Sequence, residues 1–472
     1  MSYIRYKRFG NKEYAYKITS YWDKEKKKPR QKSKYLGIVV NKAKQIFEKR
    51  VLKFKKEKLI LDFGASYLLY EFMRKIKFID IIEEIFRDKA KELLALIYYR
   101  LCNSSAMSYA NIWYEGDISR ILFKDINLST QRISEILKVI GDEGLYREFF
   151  KEYVTTFIEG SEGIIIDTTA LANQINFSFN AWGYNDGGID KQIKFLFVVD
   201  KKTSLPLFFR YLPGNIVDVS CIRVTIEELK KLGIKHNFIL IDAGFVSEEN
   251  IRNLYKENIN FLTRLPSTKT LYKDLIKEEV RNLEEFRNVI RYRDRVLFIK
   301  ERDIKLFGED GWAYIILDPE RKGREMKKFL IDVMEEELTE EEIDFKLKKR
   351  GIMILISSFK VGREYLMPLY YMRQAVERVF GFSKDDLKLI PLRVHKEDTL
   401  RGYLLLIFMT LIVFLLLKKE IGQKHTVEEI LLKMKNLKCK VYDNEILIQE
   451  LTKQQREIIE KLNIIVPKTM GI

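Results

Sequence analysis

Tyr370, Arg373, Glu377 and Lys384 form the pattern Tyr-x2-Arg-x3-Glu-x6-Lys in an otherwise apolar stretch. On a single helix the offsets of −7, −4 and +7 place all three partners within about 40° of the glutamate's direction. A carboxylate flanked by a phenol, a guanidinium and an ammonium suits a metal-bound phosphate, although an amphipathic helix facing water has the same spacing. Two upstream runs supply further carboxylates: Gly163-Ile-Ile-Ile-Asp167-Thr-Thr and Phe238-Ile-Leu-Ile-Asp242-Ala-Gly-Phe. Both read as buried strands ending in an aspartate. A carboxylate beside an apolar strand is unfavourable unless it is paired, hydrogen-bonded or bound to a cation. Two of them beside a helical glutamate offer hard oxygen donors for Mg2+ or Mn2+.

With these residues in place, the chain resembles the insertion-sequence DDE transposases that carry the Y-(2)-R-(3)-E-(6)-K signature. The likeness extends to Gly183-Tyr-Asn-Asp-Gly-Gly, Lys194 to Asp200, Ser204-Leu-Pro-Leu and Pro213-Gly-Asn-Ile-Val-Asp218 between the aspartates. It continues through Gly244-Phe245 and Ile259-Asn-Phe-Leu-Thr-Arg264 after them. The resemblance implies catalytic metal ligands at Asp167, Asp242 and Glu377. It also implies phosphate contacts from Tyr370, Arg373 and Lys384, two divalent ions, and a hairpin intermediate at the element ends as one option. Asp186, Asp190, Asp200 and Asp218 are competing carboxylates; Asp200 precedes Lys-Lys-Thr-Ser and reads as a hairpin residue.

Composition is consistent with a DNA-handling enzyme. The 472 residues hold 85 Lys and Arg against 68 Asp and Glu, a formal charge of +17. Residues 1–58 contain 20 basic and 5 acidic residues, so nearly the whole excess lies there. That segment fits phosphate contact and counterion release, or a solvated lysine-rich hairpin. Cys102, Cys221 and Cys439 are too scattered for a disulfide framework or a zinc cluster, and three histidines are few for a histidine metal site. With no signal peptide before the basic start, a cytoplasmic protein is expected. Tyr403 to Leu417 is apolar except for Thr410. Its 15 residues fall short of the about 20 a spanning helix needs, so it reads as a core helix and no membrane partner is expected.

The expected fold class is α/β: an RNase H-like core with a mixed five-stranded sheet, interrupted by an insertion domain and preceded by a mostly helical N-terminal region. Residues 1–58 read as short strands with basic turns, closing in a helix near Asn41 to Lys56. Residues 59–155 read as a helical domain for DNA-end binding, in which Ser129 caps a helix that could enter a groove but more commonly packs. Core strands are expected at 163–167, 194–199, 206–212, 238–242 and 259–264. The core would run over 156–267 and 362–420, around an insertion at 268–361 and before a helical tail at 421–472. Thr426 and Glu429 form a capping-box pattern there. Within the insertion, Arg291, Arg293 and Arg295 alternate as on one face of a strand, a DNA-binding arrangement or a charged edge. Trp312 is a candidate base-stacking residue, although a strand tryptophan is more often core. Met326 to Lys349 reads as one helix with an acidic middle.

The expected activity is metal-dependent cleavage at insertion-sequence ends and transfer of 3′-hydroxyl ends into target DNA. Double-stranded DNA is the partner, and a homodimer brings two ends together. The alternatives are an RNase H-like nuclease that does not join, and a catalytically idle DNA-binding relic.

Overall fold

The computed structural model describes all residues except 1, 11, 24, 49–56, 104, 174–175, 186–187, 216–220, 235, 333–338, 388, 390–393, 395 and 472. The chain divides into two compact units, one of residues 1–59 with 441–445 and 471–472, the other of 60–440 with 446–470.

The first unit is an antiparallel sheet of Ser2–Phe9, Lys12–Asp23, Lys28–Asn41 and Ile46–Glu48, paired in that order. Where a helix was expected near Asn41 to Lys56, residues 42–45 turn and Ile46–Glu48 pairs back on Ile38 and Val39. Phe47 meets the ring of Tyr6 at 6.4 Å. Strand pairing and this ring contact override the helix-friendly Lys and Ala composition. Residues 49–56 of the expected helix lie outside the described residues.

The second unit begins with helices, among them Gly64–Lys75, Phe78–Phe86, Ala90–Cys102, Thr130–Ile140 and Glu143–Phe157. Its sheet contains five strands in the order Pro206–Pro213, Gly188–Asp200, Ile164–Ala172, Phe238–Ile241, Asn260–Arg264. In chain order this is 3-2-1-4-5. The second strand runs antiparallel to both neighbours, and the first, fourth and fifth run parallel. This is the expected RNase H-like arrangement. The β-branched Ile164-Ile-Ile and Phe238-Ile-Leu-Ile runs are buried throughout, as strands covered on both faces require.

The sheet has ten strands, not five. Ala181–Asn185 adds to one side of Gly188–Asp200. On the other side Ile352–Ser357 pairs antiparallel with Asn260–Arg264, followed outward by Glu309–Leu317, Arg295–Leu306 and Val289–Tyr292. The segment expected as an insertion therefore continues the core sheet and covers what would otherwise be an open edge. The acidic helix expected over Met326 to Lys349 is two helices, Pro319–Asp332 and Glu340–Lys348. The second starts afresh because Thr339 and Glu342 form a capping box, each side chain accepting from the other's backbone N–H. The acidic run from 335 to 338 lies outside the described residues.

The apolar run at 403–417 is the middle of a 25-residue helix, Glu397–Ile421. By length and composition this helix could cross a membrane, yet 83% of its most apolar window is buried inside the protein. Phe408 explains why: its ring lies 5.0 Å from Phe150, 5.3 Å from Phe209 and 6.1 Å from Phe197, joining the helical layer to the sheet. Thr130–Ile140 packs along the same helix through Ile133, Ile136, Leu137 and Ile140. It is a packing helix, and Ser129 stands at its N-cap without a side-chain capping bond.

These two helices approach so closely that a Cβ on Gly402 would lie 1.8 Å from the Leu137 carbonyl oxygen, and one on Gly141 2.0 Å from that of Asp398. Backbone cannot yield as a side chain does. Gly402→Ala is therefore expected to lower stability by about 2–3 kcal/mol in chemical denaturation. An unchanged midpoint would mean that the helices separate freely.

Candidate active site

Ile166 and Ile241 are partners on adjacent parallel strands, so the residues that follow them, Asp167 and Asp242, emerge side by side. The first strand does not end at Asp167 but runs on to Ala172, because Thr168, Thr169 and Ala170 keep pairing with Leu196, Phe195 and Lys194. Asp242 directly follows its strand.

The Tyr-Arg-Glu-Lys pattern is not carried by one helix. Arg363–Tyr371 ends where the bonds tighten, Arg373 N–H donating to the Tyr370 carbonyl and Val376 N–H to that of Arg373. A second helix, Gln374–Gly381, carries Glu377, and a π-helical turn, Phe382–Asp386, carries Lys384. These breaks aim the four side chains differently. Tyr370 is buried under the first helix. Arg373 sits at the junction, and Lys384 Nζ reaches the Asp167 strand, donating to Thr169 Oγ1 at 2.7 Å and to the Ala170 carbonyl at 3.1 Å.

Arg373 is the centre of the site. Its Nη1 lies 3.1 Å from Asp242 Oδ1 and 3.5 Å from Asp167 Oδ2, and its Nη2 lies 3.0 Å from Glu377 Oε1. The i,i+4 spacing predicts the contact with Glu377. Nothing in the sequence indicates that the same guanidinium reaches both aspartates. Asp167 is the floor, its side chain 13% exposed, whereas Asp242 is 37% and Glu377 51% exposed, so the site opens toward Glu377.

Burial pushes the Asp167 carboxyl up to about 7; Arg373 opposes this, Asp242 reinforces it, the Thr168 N–H donating at 2.8 Å opposes it, and Glu377 reinforces it least. Burial alone would lower the Arg373 pKa, but the carboxylates of Asp242 and Asp167 outweigh it and raise it, so the guanidinium stays charged. Burial also raises the Tyr370 phenol, which remains protonated. A carboxyl raised in the folded state contributes stability that is present below its unfolded pKa and lost as pH rises through its folded one. Without divalent ions, the wild-type chain should therefore lose stability relative to Asp167→Asn between pH 4 and about 7. The loss should be on the order of a few kcal/mol. Urea unfolding of both chains across that range checks it; parallel curves would mean that Asp167 is not desolvated.

Among the described residues, no group of three His, Cys, Asp or Glu side chains is arranged to hold a metal ion directly. The three carboxylates instead converge on one cation, the guanidinium. Asp167, Asp242 and Glu377 are nonetheless the hard oxygen donors, one of them desolvated, that could hold a divalent ion here.

The other expected DNA-binding residues are placed differently. Arg291, Arg293 and Arg295 do not line one strand: Val289–Tyr292 and Arg295–Leu306 form a hairpin with Arg293 at its turn, φ 57°. Because Arg291 pairs with Val296 and Arg295 with Tyr292, the two arginines project from opposite faces. Arg295 is tied to Asp318 at 3.3 Å. The hairpin nevertheless adjoins the site helices, since Tyr292 stacks on Tyr371 with centroids 5.4 Å apart. Sequence reasoning missed that stack. Trp312 is half-buried in its strand with Lys360 Nζ 4.7 Å from its ring centroid, which covers that face. Asp200 is the expected hairpin residue, accepting from the backbone and hydroxyl of Thr203 at 2.7 Å each. Asp186 and Asp218 lie outside the described residues.

Acidic side chains gathered within the first strand and directly after the fourth strand of an RNase H-like sheet are the arrangement expected of proteins that transfer phosphoryl groups in nucleic acids. The family described as transposase DDE domain matches residues 158–413, more than half of the chain, and the chain belongs to that family. It is accordingly an enzyme, a DNA transposase, and DDE transposases generally use divalent metal ions. No curated protein matches it. Among solved structures it is similar to the piggyBac transposase synaptic complex with hairpin DNA, with a TM-score of 0.43 and 13% identity, over 78% of this chain and 79% of that one.

Proposed function

We propose that this transposase cuts DNA at the ends of an insertion sequence and joins the freed 3′-hydroxyl ends to target DNA. In this reading Asp167, Asp242 and Glu377 hold two Mg2+ or Mn2+ ions. One observation supports it above the rest: three carboxylates from three elements share a single cation, Arg373. Divalent ions held there supply Lewis-acid activation of the attacking oxygen and neutralisation of the leaving one.

The chain's own residues do the positioning. Asp167, within its strand, and Asp242, directly after the strand paired to it, are held side by side, while Glu377 closes the rim from its helix. Arg373 exchanges its carboxylates for a phosphate of the cut strand, which its planar fork grips with two bonds. Lys384, anchored beside Asp167, adds a point charge, and the protonated Tyr370 adds one hydrogen-bond donor. Arg291 and Arg293, on the hairpin stacked against Tyr371, meet the neighbouring duplex, with Arg295 and Trp312 supporting that sheet edge. Two ends must be held together, so the working unit is a pair of protomers, and we place the reaction in the cytoplasm.

The test is incubation of a labelled duplex bearing the element's own end with the protein and Mg2+. Nicked and joined products are expected, and none with a chelator. Cleavage without joining would leave a nuclease, and no reaction with any end would leave a binding protein.

A further inference from the structure

The N-terminal sheet has a charged face that the catalytic site does not use. Lys28, Arg30, Lys32 and Lys34 alternate along one strand, so all four project from the same side at about 6.7 Å intervals. Their cross-strand partners are Asp23, Tyr21, Thr19 and Lys17, which puts Lys17 directly opposite Lys34. Like charges so opposed repel. Lys17, Lys28, Lys32 and Lys34 are exposed and have no acidic partner among the described residues; only Arg30 has one, Asp23 at 3.3 Å. Asp23 is already occupied in forming the turn, accepting from the N–H groups of Glu25 and Lys26 at 3.1 and 3.0 Å.

The opposite face is chemically different. There the cations lie on rings, Arg5 5.6 Å from Tyr3 and Lys7 5.5 Å from Tyr16, and Trp22 is 61% exposed. One side of the ribbon is thus a row of cations of which only Arg30 has an acidic partner, with Tyr21 exposed beside it and Tyr6 covered by Lys42 Nζ at 4.6 Å and by Phe47, and the other carries the exposed rings of Tyr3 and Trp22. We propose that the face of Lys17, Lys28, Arg30, Lys32 and Lys34 binds the phosphate backbone of duplex DNA without regard to sequence. An anion relieves the Lys17–Lys34 repulsion, and a duplex presents phosphates continuously along such a row. Single-stranded nucleic acid would instead call on the aromatic face. The inference rests on the chain being a DNA transposase but not on the metal roles of the three carboxylates.

The experiment measures binding of a random-sequence duplex and of a single strand to the full chain in EDTA, so that no cleavage intervenes, at several salt concentrations. Compared are the wild type, Lys28/Arg30/Lys32/Lys34→Gln and Trp22→Ala. The fourfold variant should bind duplex at least tenfold more weakly, and its slope of log K against log salt should be shallower by about 3.6, near 0.9 for each of the four lost phosphate contacts. Trp22→Ala should leave duplex binding unchanged. Thermal melting of the fourfold variant should match the wild type, because its side chains are exposed. An unchanged salt slope would overturn the proposal, as would duplex binding that depends on Trp22 or a greater loss on single strands than on duplex. A misfolded fourfold variant is replaced by Lys32→Glu, for which a tenfold loss is expected and an unchanged affinity again overturns the proposal.

Discussion

Asp167→Asn is expected to lower DNA cleavage and joining by roughly a thousandfold or more, while duplex affinity in EDTA stays within about threefold of the wild type. The two readouts separate because they draw on different groups. Asp167 is a floor residue among carboxylates, buried and within reach of Arg373 at 3.5 Å, and it offers nothing attractive to a phosphate. Removing its charge even reduces repulsion of DNA. Asparagine keeps the volume and can still accept from the Thr168 N–H, so the strand should stay intact. Cleavage at the wild-type rate would exclude Asp167 as a metal ligand, and a matching loss of binding would point to misfolding.

Arg373→Ala should have the second-largest effect, and in two measurements. In the metal-free protein it leaves Asp167, Asp242 and Glu377 facing one another with no cation between them, and stability should fall by about 1–3 kcal/mol. The estimate lies at the lower end of the range for breaking an ion pair because Glu377 is half-exposed. Mn2+ should then raise the melting temperature of the variant more than that of the wild type, since the carboxylates no longer share their charge with a guanidinium. Cleavage should still fall, by about a hundredfold, for want of the bidentate phosphate grip. Equal Mn2+ stabilisation of both chains would show that Arg373 and the metal do not compete for these groups.

Much of this site is legible in the sequence because its parts are local. Asp167 and Asp242 are flagged by the apolar strands beside them, and Glu377 by its companions. The five core strands follow from the same hydrophobic runs. The geometry between the parts is less legible. The breaks at Met372 and Arg373 and the π turn at Phe382–Asp386 rotate Tyr370 and Lys384 away from a common face. The rule of 3.6 residues per turn cannot foresee such breaks. The alternation of Arg291, Arg293 and Arg295 misled for a related reason: a turn at Arg293 has the same spacing as a strand. The sheet's extension to ten strands depends on Ile352–Ser357 pairing with Asn260–Arg264, about 90 residues earlier, and no local pattern encodes that. At Ile46–Glu48, pairing with the preceding strand decided the structure against local propensity.

The most direct test of the central claim is the joining reaction itself: a duplex with a pre-cut, 3′-labelled element end, target DNA and Mg2+, compared between the wild type and Glu377→Ala. Transfer of label to target by the wild type, absent with chelator and absent in the variant, is the predicted result. Label transfer that persists without divalent ions, or that Glu377→Ala leaves intact, would contradict it.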